Sequence, residues 1–117
     1  MSISKTFKDL IVWQKSRDLA VAVYKLTEKF PKSETYGLTS QMRRATVSIS
    51  SNIAEGYHRF HQKDKKHFLV MAFGSGSELE SQIEIAKALF PDHDYEKAEQ
   101  LTGETMKILS SFLKKYD

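Results

Sequence analysis

Residues able to do chemistry gather at two places in this chain. Gln41, Arg44, Ser48, Asn52, Glu55 and Arg59 are spaced 3, 4, 4, 3 and 4 apart. At 100° per residue they fall within about 80° of helical arc and line one narrow face. A plain solvated face would favour Glu, Lys and Ala, whereas Ser48, Ser51 and Asn52 are poor helix formers. Beside the stripe runs an apolar one, Leu38, Met42, Ala45, Ile49, Ile53 and Gly56, and the opposite flank holds Val47 and Ala54. A helix apolar on two flanks is expected to have its polar stripe partly enclosed. Arg44 and Glu55 lie roughly 16 Å apart along the axis, too far to pair with each other, so enclosed charges need partners on another helix. Glu78 or Gln82, the polar centre of a later segment, is the expected partner of Arg44, which makes Gln41, Arg44, Ser48, Asn52, Glu55 and Glu78 a structural polar stripe.

The second place is a turn in which Arg59, Lys63, Lys65 and Lys66 crowd four cations into eight residues. Such density repels itself, and a turn without a ligand has little reason to carry it; backbone phosphate is the expected ligand. Lys15, Arg17, Lys25, Lys29 and Lys32 add a basic run along the first helix.

Other chemistry finds less support. His58, His61 and His67 match no tight ligand spacing, the chain has no Cys, and no metal or cofactor is expected. No nucleophile motif and no Gly-rich phosphate loop after a strand is present, so an enzyme is not expected. Trp13 is read as core or subunit interface rather than as a platform for a base.

The elements that must position these residues follow from periodicity. The chain has 117 residues, enough for one domain over 1–117. Phe30-Pro31 and Phe90-Pro91 should each end a helix, because proline disfavours helix at the residue before it and lacks an amide to donate. Four helices are predicted, from about Lys8 to Phe30, Leu38 to Tyr57, Asp64 to Phe90 and Asp94 to Tyr116. The first carries Val12, Leu19, Val23, Leu26 and Phe30, with Ser16 filling the missing step of a three-four spacing; the third keeps apolar or small residues at Leu69, Ala72, Gly76, Leu79, Ile83, Ala86 and Phe90, and the fourth at Ala98, Leu101, Thr105, Ile108 and Phe112. A 3.5-residue repeat on helices joined by short turns predicts an all-α, antiparallel up-down-up-down four-helix bundle. Gly74 and Gly76 predict close backbone approach to the second helix or to another subunit.

Charge is uneven along this frame. Met1 to His67 carries 13 Lys and Arg against 6 Asp and Glu, whereas Phe68 to Asp117 carries 5 against 9, the two halves giving the net +3. A basic half can attract nucleic acid or serve the acidic half of a neighbouring copy. No apolar window is long enough for a membrane span and the opening residues lack a signal-peptide stretch, so a cytoplasmic protein is expected.

Phe7, Leu10, Val12-Trp13-Gln14-Lys15, Phe30-Pro31, Tyr36-Gly37-Leu38, Gln41, Arg43-Arg44, Ser48, Asn52-Ile53-Ala54-Glu55-Gly56, Arg59, Gly74-Ser75 and Glu78-Leu79 occur in an order that resembles a bacterial four-helix bundle family. Its members are labelled 23S ribosomal RNA intervening-sequence proteins, or ribosomal-protein-like. The resemblance covers roughly Phe7 to Leu89, and its specific part is Asn52 to Gly56 after Gln41-x-Arg43-Arg44. It implies an all-α bundle, commonly a homopentamer. It also implies kinship with the accessory variability determinants of diversity-generating retroelements, basic pentamers that bind nucleic acid and a reverse transcriptase.

Together these readings predict a non-enzymatic oligomeric bundle, most simply a pentamer, that binds RNA or DNA backbone without sequence readout. The alternative is a protein-only assembly or adaptor module.

Overall fold

The computed structural model describes residues 5–116. Four helices, α1 (Ile11–Thr27), α2 (Leu38–Tyr57), α3 (Gln62–Leu89) and α4 (Glu96–Lys114), form an elongated bundle of 44 × 25 × 21 Å. Each helix packs on its two sequence neighbours, with α4 closing on α1. Cross-helix contacts fix the direction of each pair. Ser16 meets Ser50 and Thr27 meets Arg43; Ser48 meets Ser75 and Gly56 lies against Phe68; Lys87 meets Glu99 and Gly76 lies against Met106; Phe30 meets Tyr95 while Lys15 meets Glu104. In every pair one number rises as the other falls, so neighbours run antiparallel.

The core is the set of stripes predicted from periodicity. Leu19 and Val23 of α1, Met42, Ile49 and Ile53 of α2, Leu79 and Ile83 of α3, and Leu109 of α4 are essentially inaccessible to solvent. Ser16 fills the missing step of the α1 stripe: it is fully buried, donates to the Trp13 carbonyl at 2.7 Å and accepts from Ser50 Oγ at 3.0 Å. On α4 the buried line runs through Ala98, Leu101, Thr105 and Leu109, with Thr102 and Met106 beside it, while Ile108 and Phe112 are half-buried.

Boundaries depart from expectation where side chains intervene. α2 has the predicted limits, helped by Glu34, whose carboxylate accepts from the Leu38 amide at 2.9 Å. α1 begins later than Lys8, because Thr6 and Asp9 close a capping box around a 3-10 turn over Phe7–Asp9 and the backbone is extended at Leu10. It ends before Phe30 through tight bonds from Lys29 to Leu26 and from Phe30 to Thr27. α3 starts two residues before Asp64 and stops one before Phe90. α4 starts at Glu96, since Asp94 accepts from the Glu96 amide at 3.0 Å. Tyr95 donates its hydroxyl to the carbonyls of Ala86 and Phe90 at 3.0 and 2.8 Å, and burial pushes its phenol pKa upward, keeping the hydroxyl a donor. The two Phe-Pro corners meet at this end, with the rings of Phe30 and Phe90 5.2 Å apart.

Two ion pairs join helices across the surface. The hydrogen bond from Lys15 holds the Glu104 carboxyl below the usual carboxylate range, and the bond to Glu99 raises the Lys87 ammonium.

Gly76 gives room to a neighbour, though a different one than expected. A Cβ there would overlap the flexible end of Met106 on α4, which would have to move aside, whereas nothing lies within 4 Å of a Cβ at Gly74. The close approach of α3 to α2 occurs instead at Gly56, where a Cβ would sit 3.2 Å from Phe68 Cβ and 3.5 Å from the Lys65 carbonyl.

Candidate nucleic-acid interface

The α2 polar stripe does face α3. Gln41, Arg44, Ala45 and Ser48 line a groove of about 260 Å³ whose other wall is Ser75, Glu78 and Gln82. At its centre Ser75 donates to Ser48 Oγ at 3.0 Å, and Asn52 donates to the Ser48 carbonyl and hydroxyl at 2.8 and 3.1 Å. These hydroxyls and the amide satisfy one another, which explains poor helix formers at the α2–α3 contact.

The charged ends of the stripe are not enclosed. Gln41, Arg44, Glu55 and Glu78 are exposed, and among the described residues Arg44 forms no ion pair, so the expected pairing with Glu78 or Gln82 is absent. Long polar side chains at a groove rim reach solvent while their Cα atoms stay near the partner helix. Gln82 Oε1 is buried without a hydrogen-bond partner among the described residues. Arg44→Ala is therefore expected to change the stability of the fold by no more than about 0.5 kcal/mol, which thermal melting of the variant checks. A drop of several kcal/mol would restore the enclosed, paired arginine.

Glu55 finds its partner one turn away, with Arg59 Nη2 at 3.1 Å; the Arg59 guanidinium also lies 4.7 Å from the centre of the Phe68 ring. Lys65 has a structural role that spacing did not reveal: its half-buried ammonium donates to the carbonyls of Gly56 and Tyr57 at 3.3 and 3.1 Å, closing the C-terminal end of α2. A cation is favoured there by the helix dipole and the unpaired carbonyls. Lys63 is exposed and Lys66 half-buried. His58 packs edge-on against Phe7 and Tyr57, at centroid distances of 5.9 and 5.5 Å. Trp13 is half-buried against the core, with Phe7 at 5.0 Å.

Sequence spacing also missed what the antiparallel topology brings to the same end. The start of α1, the α2–α3 turn and the end of α4 converge: Phe7 meets His58, and Gln62 shares a surface hollow with Phe112, Lys115 and Tyr116. Lys8, Lys114 and Lys115 thereby join Arg59, Lys63, Lys65 and Lys66. Among the described residues the carboxylates at this end are Asp9, Glu55 and Asp64, and two are committed: Asp9 accepts from the amides of Lys5 and Thr6, and Glu55 holds Arg59. The end as a whole is strongly cationic. The opposite side, between α3 and α4, is a groove lined by Glu80, Glu84 and Glu99.

A small antiparallel four-helix bundle with one cationic end is the class of protein defined by this geometry. The chain belongs to the 23S rRNA-intervening sequence protein family, whose pattern it matches over residues 8–111. It is similar to a crystal structure from Bacteroides thetaiotaomicron, a protein of unknown function from the S23 ribosomal protein family, with a TM-score of 0.75 and 24% identity over 89% of this chain and 99% of that one. That likeness concerns the fold. No curated protein matches the chain.

Proposed function

We propose that the protein is a non-enzymatic, oligomeric accessory or scaffold bundle of the cytoplasm that associates with RNA or DNA through the phosphate backbone, without sequence readout. The observation that carries this reading is the convergence of lysines and arginines from three separate chain segments at one end of the bundle. Of these, Lys8, Lys63, Lys114 and Lys115 are exposed. Exposed cations clustered on one surface release counterions when they meet phosphate, and that term is blind to sequence.

Self-association is supported by apolar surface left open on a single chain. Val21, Tyr24, Tyr36 and Val47 are exposed on the α1 and α2 side, and Val70, Met71, Ile85 and Leu89 on α3. Arg43 and Arg44 lie beside the first group, while Glu80, Glu84 and Glu99 line the α3–α4 side, where Lys87 meets Glu84 and Glu99 and leaves an excess of negative charge, so unlike faces of two copies are complementary in charge. A head-to-tail contact forms a ring where its rotation closes, and a pentamer is the ring that the family resemblance implies. A ring repeats the cationic end, so weak contacts add through multiplicity. A reverse-transcriptase partner rests on the resemblance alone, and no surface of the chain is assigned to it.

Titration of a fluorescent RNA at about 50 mM salt, with light scattering on the same sample, tests both parts. Saturable binding by a particle several times larger than 13.5 kDa is expected. An oligomer that leaves RNA free would support the protein-only adaptor, and a 13.5 kDa particle would remove the ring.

A further inference from the structure

We propose that Phe60 is a stacking platform for an unpaired nucleobase, so that the cationic end takes single-stranded rather than duplex nucleic acid; this rests on the function proposed above. Phe60 sits in the turn between α2 and α3 and is 95% exposed. The neighbouring rings Phe7, Tyr57 and Phe68 are used by the fold. Phe7 packs on Trp13 and His58, Tyr57 packs on His58 and faces the Lys65 ammonium, and Phe68 lies under the Arg59 guanidinium. The Phe60 ring has no aromatic or cation–π contact among the described residues and contributes almost nothing to the core.

An exposed phenyl ring has no polar group to reward its contact with water, unlike the equally exposed Tyr36, which carries a hydroxyl. Its surroundings select the occupant. Arg59 precedes it, fixed by Glu55 and Phe68, and Lys63 follows three residues on, in the first turn of α3. An apolar ring between cations suits a ligand that is flat and aromatic on one part and anionic on the next, which describes a nucleotide in a single strand. In a duplex the faces of the bases are covered by their neighbours, and a ring on a turn meets only phosphate and groove edges.

The test compares the full chain with Phe60→Ala and Phe60→Trp. The probes are a mixed-sequence RNA strand of about 12 nucleotides, the DNA strand of the same sequence, and the RNA duplex formed with the complement, all read by fluorescence anisotropy across a salt series. Phe60→Ala is expected to weaken both single strands about tenfold without changing the salt slope, since stacking releases no counterions, and to leave the duplex unaffected. Phe60→Trp keeps single-strand affinity. Wild-type affinity of Phe60→Ala for the single strands overturns the stacking platform alone. An equal loss on the duplex, or loss of self-association in Phe60→Ala by light scattering, also overturns it and assigns the ring to general contact or to a copy-to-copy interface. Absence of wild-type binding to all three probes overturns the underlying function, and this inference with it.

Discussion

Replacing Lys8, Lys63 and Lys115 together with Gln is expected to weaken RNA binding roughly 100- to 500-fold at ~0.1 M salt and to leave the helical fold intact. The three side chains are exposed and come from different segments that meet at the cationic end. Each phosphate contact adds roughly 0.7 to 0.9 to the slope of log affinity against log salt, or about five- to eightfold in affinity at 0.1 M. Three lost contacts also flatten that slope by about 2 to 3, similarly for all sequences. Exposed substitutions of this kind cost the fold within about 0.5 kcal/mol each. Lys65 and Arg59 stay unchanged because they hold the end of α2 and Glu55, so their loss would mix folding with binding. Anisotropy titrations with circular dichroism on the same samples check this; unchanged affinity in the triple variant would take the cationic end out of the binding surface.

Leu79→Ala should destabilise the bundle far more than any of these surface substitutions. Leu79 is completely buried on α3, the helix flanked by α2 and α4, at a position of the 3.5-residue repeat. Removing its branched end deletes buried apolar volume and leaves a cavity that rigid neighbouring helices fill only in part, which costs about 2 to 5 kcal/mol. Against a total of about 5 to 15 kcal/mol for a domain, a fall of that size lowers the urea midpoint visibly. A midpoint within error of the wild type would mean that the α2–α3–α4 layer is not packed as described.

The fold was largely legible in the sequence because its signals are local and repeated. The α2 limits, the α3 line from Ala72 to Ala86 and the buried Ser16 all follow from spacing. The later start of α1 needed the Thr6–Asp9 box, a contact between side chain and backbone that apolar periodicity does not register. Spacing puts the polar stripe on the face that meets α3 but does not fix its depth. Periodicity gives the direction in which Arg44 points from its helix, while burial depends on how far α3 stands off and how long the side chain is. The site divides in the same way. The density of cations from Arg59 to Lys66 was visible, but the use of Lys65 as a cap and the arrival of Lys8, Lys114 and Lys115 depend on antiparallel packing. Phe60 carried no signal, because one phenylalanine beside a turn reads the same whether its ring is buried or exposed.

Whether the cationic end holds nucleic-acid backbone is decided by the affinity of the wild-type protein for a single-stranded RNA between about 50 and 200 mM salt. Log affinity is expected to fall in a straight line with log salt, with a slope steeper than about −2, as at least three released counterion contacts require. A slope near zero, or no binding at the lowest salt, would contradict that role for the cationic end.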